Sequence, residues 1–311
     1  MAARPGAGST GLIRTRTRRS VGEQAVKALL AGAALLSVLT TTGIVVTLIN
    51  ESSGFFRQVS VSDFFLNTNW APLAGGESQS FGVVPLMWST LYLTAIALVV
   101  AIPLGLGVGI YLAEYASPRV RKTFKPIIEV LAGIPTIVFG YFALTFMTPL
   151  LRDIGIQVEV FNTLSAGIVM GVYLIPTVAS LSEDAMGAVP RDLRDGAYAL
   201  GSTKMQVATR VVVPAAVSGI IASFVLGISR AIGETMIVLV AMGQQPNLTL
   251  DPRAAAETMT AFIAATGAGD VPTGTLEYKT IFAVGATLFL MTFVMNIIAI
   301  RLVRKYREVY E

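Results

Sequence analysis

Cysteine and histidine are both absent from the 311 residues. Without cysteine there are no disulfides, no thiol nucleophile and no thiolate metal ligand. Without histidine the common zinc sites and every Ser-His or Cys-His catalytic arrangement are excluded. Charge is scarce too, at 14% of the chain against 54% hydrophobic residues. Too little polar chain remains to cover so much apolar surface in water, so an ordinary soluble domain is excluded. No G-x-x-x-x-G-K-[ST] loop occurs, so the chain has no phosphate cradle of its own for ATP. ATP and its Mg, if used, belong to a partner, and no cofactor or metal is expected in this chain.

What is abundant is long apolar runs. A bilayer core takes a helix of roughly 20 apolar residues. Six stretches qualify: Val26–Ile49, Leu86–Leu112, Ile127–Leu151, Leu164–Leu181, Ala215–Met242 and Ile281–Val303. The expected fold class is an all-α membrane protein with six transmembrane helices. The chain divides into a basic, disordered tail over 1–25, a first helix with an external segment over 26–85, and a five-helix core over 86–311.

The basic residues set the orientation. Of the 23 Lys and Arg, all except Arg57, Arg152, Arg253, Lys279 and Arg230 fall in the N-terminal stretch, 113–126, 182–214, or from Arg301 onward. Lys and Arg accumulate on the cytoplasmic side, which places both termini and the loop 182–214 in the cytoplasm. The net charge of +4 then reflects this bias and anionic membrane lipid, with no nucleic-acid partner needed.

Pro103, Pro135 and Pro176, inside expected spans, should kink them. Gly105 and Gly109 make a small-xxx-small face for close helix packing. In the external segment, Phe55, Phe56, Phe64, Phe65 and Trp70 could line the membrane interface, or the loop could pack on its own helices.

Two stretches carry the functional reading. Pro190–Pro214 is a polar segment between spans. Leu193, Ala197 and Leu200 share a helical face, Gly201 offers a turn, and Val207 and Val211 begin a second apolar face. Two short amphipathic helices bent at Gly201 make a docking surface for a soluble partner. The second stretch, Ser229–Met236, holds Arg230 and Glu234 four apart inside the fifth span, where an ion pair on one helical face is expected. Arg230 offers a fork of donors suited to a tetrahedral oxyanion, and Glu234 keeps the site from holding the anion too tightly. A structural pair that only orients the helix is the alternative.

The polar loop resembles the E-A-A-x3-G-x9-I-x-L-P segment of bacterial ABC importer permeases. The match falls on Asp195, Gly196, Ala197, Gly201, Val211, Val213 and Pro214 with the spacing intact. Asp replaces Glu, Gly replaces Ala, and Val replaces Ile and Leu. With Trp70, Pro72, Phe81, Gly82, Pro85, Ile128–Thr136 and Arg230–Met236 added, the chain is similar to permease subunits of the bacterial phosphate-specific ABC importer. The C-type subunit is the nearer of its two permeases. The resemblance implies a type I permease fold in the cytoplasmic membrane and several partners. These are a second, A-type permease, two cytoplasmic ATPase subunits and an external phosphate-binding protein. It implies a coupling role for Arg194, Asp195, Gly196, Ala197, Leu200, Gly201 and Pro214, and a substrate pathway past Arg230 and Glu234. A sulfate or molybdate importer is the near alternative. An ion-coupled secondary transporter, which usually shows internal repeats and broken helices, and a membrane enzyme are the more distant ones.

Overall fold

The computed structural model describes residues 18–305. The expected tail over 1–25 lies outside these residues up to position 17, while Arg18 onward is helical. Among the described residues, those up to Asn50 form one compact unit and those from Glu51 onward a second.

The first helix, α1 (Arg18–Phe56), runs past both ends of its expected span. Thr40, Thr41 and Thr42 each turn a hydroxyl back to the carbonyl four residues earlier, which satisfies these polar groups within the helix. After it come α2 (Val61–Leu66) and a two-stranded antiparallel ribbon. Its strands are β1 (Trp70–Ala71) and β2 (Ser80–Phe81), with Trp70 opposite Phe81. Then α3 (Val84–Ile110) continues through a π-helical turn at Tyr111–Tyr115.

The remaining helices are α4 (Pro118–Leu131), α5 (Thr136–Phe142), α6 (Thr148–Asp153), α7 (Thr163–Gly187), α8 (Arg191–Ala199), α9 (Lys204–Val207), α10 (Val213–Ala215), α11 (Val217–Ile232), α12 (Met236–Ala241), α13 (Met259–Ala268) and α14 (Leu276–Lys305). Among the described residues, four helices are long and apolar enough to cross a membrane, or up to six if each bent pair counts as one span.

Breaks in the helices correct two expectations. The third span is not one kinked helix. It is α4 followed, at 85°, by Thr136–Asp153. The break covers Ala132–Pro135. Pro135 has no N–H and drives the residue before it out of the helical region. The fifth span also breaks, at Gly233–Thr235, so Ala215–Met242 is not one helix. Pro103 and Pro176 instead lie within helices that continue past them. Broken helices, expected of secondary transporters, are therefore a feature of this chain as well.

The heart of the unit is the α3–α7 pair, closed by glycines from both sides. A Cβ on Gly105 would lie 2.7 Å from Val178 Cβ, and one on Gly109 3.0 Å from the Ala179 carbonyl. In return, Gly167 and Gly171 of α7 leave room for Ile96 and Val100 of α3. Between apolar helices this close approach gains dispersion contacts where no hydrophobic drive separates helix from lipid. The expected Gly105–Gly109 face is thus in contact, as two of its four glycines.

Three apolar clusters stack along this pair. The middle one holds Leu93, Met170, Tyr173, Leu174, Ile237 and Val238. The end that carries α8 is filled by Met186, Val189, Val207, Val212 and Ile220. The opposite end is filled by Phe55, Phe64, Trp70, Phe81, Met259 and Phe262. Phe55, Phe64 and Trp70 are therefore core residues and not an interfacial belt. Edge-to-face contacts join Phe55 to Phe64 and Trp70 to Phe262, with ring centroids 5.5 and 4.9 Å apart. Phe65 alone of these aromatics remains exposed.

Candidate functional site

Helix α8 starts after Pro190 and ends in a Schellman motif. The Ser202 N–H donates to the Ala197 carbonyl at 3.1 Å, and the Gly201 N–H to Tyr198 at 2.9 Å. Gly201 has φ +80°, a left-handed value that glycine adopts without steric cost. The expected bend at Gly201 is there. Thr203 then opens α9 with a capping box shared with Gln206. A bend of 71° separates Lys204–Ala215 from α11. Pro214 sits exposed in the first turn of α10.

The apolar faces of this loop point in two directions. Val207 and Val212 are buried against Met186, Val189 and Ile220, and Ala197 packs on the same cluster. They hold the loop to the spans. Leu200, 89% exposed, points outward with Met205 and Tyr198, beside the exposed Asp195 and Gly196. Leu193, Ala197 and Leu200 therefore do not form one docking face, because Leu200 lies beyond the last helical turn.

Arg194 also faces inward. Its Nη2 donates to Glu114 Oε1 at 3.0 Å and to the Met186 carbonyl at 2.7 Å, and its Nη1 to Val189 O at 2.6 Å. Glu114 is 5% exposed. One guanidinium thus ties α8 to the π-helical turn after α3, to the end of α7 at Met186 and to Val189 just beyond it. Close by, the fully buried Glu183 of α7 is paired with Arg121 and Lys125 of α4. The Lys125 Nζ also reaches Asp184. The reading of the sequence missed Glu114 and Glu183. Acidic residues at the ends of two spans, next to basic connectors, were the available signal.

Arg230 and Glu234 do not pair. The helix break at Gly233 removes the i, i+4 geometry on which that expectation rested. Arg230 Nη1 instead donates to Thr177 Oγ1 at 2.6 Å, and Nη2 donates to the Tyr173 hydroxyl. The guanidinium carbon lies 4.9 Å from the Tyr173 ring centre, a cation–π contact. Two of the five guanidinium N–H donors are thereby engaged. Tyr173 and Thr177 stand four apart on α7, and that polar pair in an apolar span was readable in the sequence.

Glu234 has different work. Its Oε1 accepts from the N–H groups of Met236 and Ile237, at 3.0 and 3.2 Å. It satisfies orphan donors in the first turn of α12, where a carboxylate is favoured. Its backbone carbonyl accepts from Thr260 Oγ1 at 2.7 Å, which ties the break to α13. Glu234 is a buried cap, with the guanidinium held separately on α7.

Long apolar helices, a bent polar loop and broken spans are the frame of a membrane transport component. The chain belongs to the family of binding-protein-dependent transport system inner membrane components, which it matches over residues 105–308. It is 31% identical to the probable ABC transporter permease protein YqgH of Bacillus subtilis (strain 168), over 96% of each chain. It is 32% identical to the phosphate transport system permease protein PstC of Xylella fastidiosa (strain 9a5c), over 80% of this chain and 82% of that one. Among solved structures, a bacterial ABC transporter involved in the import of the acidic polysaccharide alginate shares the fold. The TM-score is 0.62 at 16% identity, over 93% of this chain and 100% of that one.

Proposed function

We propose that the chain is one of two permeases of an ATP-driven phosphate importer in the bacterial cytoplasmic membrane. It has six spans when each bent pair counts as one, with both termini and the α8–α9 loop in the cytoplasm. The second, A-type permease completes the pathway. Two ATPase subunits bind ATP and Mg; one docks on Leu200, Met205 and the motif residues around Gly201, and the other on the matching loop of the second permease. An external phosphate-binding protein delivers the anion. Similarity to PstC supports phosphate over sulfate or molybdate.

The observation that carries the reading is the lone guanidinium of Arg230, held on α7 by Tyr173 and Thr177 with donors to spare. A tetrahedral oxyanion can take those donors and displace the two hydroxyls. Both hydroxyls can then turn to donate to the anion. Motion of the ATPases reaches this point through the inward-facing contacts of α8, chiefly Arg194, and through α11, which carries Arg230. Nucleotide then biases two states of the permease pair.

The test is labelled phosphate uptake by the assembled complex in proteoliposomes. Arg230→Gln should assemble and retain basal ATP hydrolysis yet take up phosphate far more slowly. Near-normal uptake would remove Arg230 from the pathway.

A further inference from the structure

At the end opposite α8, a cavity of about 380 Å³ opens between the β1 segment, the start of the α12–α13 connection and the far end of α13. Trp70, Pro72 and Phe262 supply apolar and aromatic walls. Gln244, Glu257 and Asp270 supply the polar groups. Glu257 is 6% exposed, and among the described residues its carboxyl has neither a hydrogen bond nor an ion pair. Burying an unpaired carboxyl is costly, and a pocket that leaves one without a partner is open to a ligand that supplies it. Desolvation alone holds this carboxyl up at about 7.

The lining narrows the ligand. No Lys or Arg lines the cavity, so an anion finds no counter-charge there. Among the described residues no group of three or more Asp or Glu gathers as a metal site would require, which disfavours a bare divalent ion. The volume fits a small organic group. Two carboxyls beside a tryptophan and a phenylalanine are the chemistry that recognises an ammonium or guanidinium.

We infer that this pocket binds one ammonium or guanidinium group, with Glu257 as its counter-ion and Trp70 and Phe262 as its walls. The group comes either from a free organic cation or from a Lys or Arg side chain of an external protein. That the pocket opens outward rests on the orientation proposed above, while its chemistry does not.

The complete permease–ATPase complex in lipid nanodiscs is titrated calorimetrically with n-butylguanidinium and n-butylammonium. Saturable binding is expected, at least tenfold weaker in Glu257→Gln and several-fold weaker in Asp270→Asn. In the unaltered complex the probe should bind more weakly at pH 5.5 than at pH 8, since a neutral Glu257 offers no counter-charge. Asp270 is the one other titratable group on the pocket wall. This pH series reads the same carboxyl even if Glu257→Gln does not assemble. Absence of saturable binding, or equal binding to both forms and at both pH values, would overturn the inference. The source is settled by adding the external binding protein. Competition with the probe identifies a basic side chain of that protein, and independence identifies a free cation. Phosphate uptake, measured separately, reports on the transport reading alone.

Discussion

The α8–α9 loop and the Arg230–Glu234 segment each hold charged residues beside a glycine, yet they were not equally readable. The loop is local. Its glycine, caps and short helices are specified by neighbours within six residues, as the contacts of Ser202 with Ala197 and of Thr203 with Gln206 show. The Arg230–Glu234 segment depends on what lies across from it. Local spacing favours a continuous helix with an ion pair, but Glu234 caps α12, and Tyr173 and Thr177 of α7 take the guanidinium. Where chain-distant partners compete with sequence neighbours, spacing alone gives the wrong bond.

The largest expected effect falls where the loop meets the spans. Arg194→Met leaves Glu114 buried without its counter-charge, a loss of about 3 kcal/mol or more. Thermal unfolding of the purified complex should show the drop, and Glu114→Gln in the same chain should recover much of it. Unchanged stability in Arg194→Met would mean that the loop is held by its apolar contacts alone.

Next comes Arg230→Gln, which should lower phosphate uptake by about 10- to 100-fold, the range expected for a lost charged hydrogen bond of roughly 1.5–3 kcal/mol. Because Glu234 has its own partners, adding Glu234→Gln should not restore transport. Restoration by the second change would reinstate the ion pair and collapse the contrast between the two regions.

A smaller effect is expected at Gly201. No atom lies within 4 Å of a Cβ added there, so bulk by itself is not the obstacle. The left-handed backbone is, at roughly 1–2 kcal/mol for a side chain that must hold it. Gly201→Trp should lose ATPase stimulation coupled to uptake, whereas Gly201→Asn should keep most of it, since Asn tolerates this conformation. Equal coupling in both variants would detach the bend from ATPase docking.

The smallest effect belongs to Glu234→Gln. The amide oxygen can still accept from Met236 and Ile237, so stability should change by less than about 1 kcal/mol. Glu234→Ala, which removes the cap, should cost about 1 kcal/mol. If both variants lose stability equally, the capping role is wrong.

The sequence by itself determined that the chain is a bundle of apolar helices. It also determined where four of the long ones run and that α8 turns at Gly201. Those features follow from composition, from 3.6-residue periodicity and from the φ that only glycine takes freely. The Gly105–Gly109 seam was legible for the same reason, though its partners Gly167 and Gly171 were not identified. Pro135 marked the third span for a bend, but only the tertiary structure decided that the fifth span breaks, because the N–H and C=O groups freed by a break need partners. At Gly233–Thr235 the Glu234 carboxylate accepts from the neighbouring N–H of Met236, and Thr260 of α13 supplies the distant partner by donating to the Glu234 carbonyl. Only packing decided that Phe55, Phe64 and Trp70 turn inward onto Phe262 and Met259, since one aromatic pattern suits an interface or a core equally well. Packing also decided that Arg230 belongs to Tyr173 and Thr177. A guanidinium inside a bundle goes to whichever acceptors the neighbouring helix brings within reach, and the separation of α7 from α11 along the chain carries no sign of that approach.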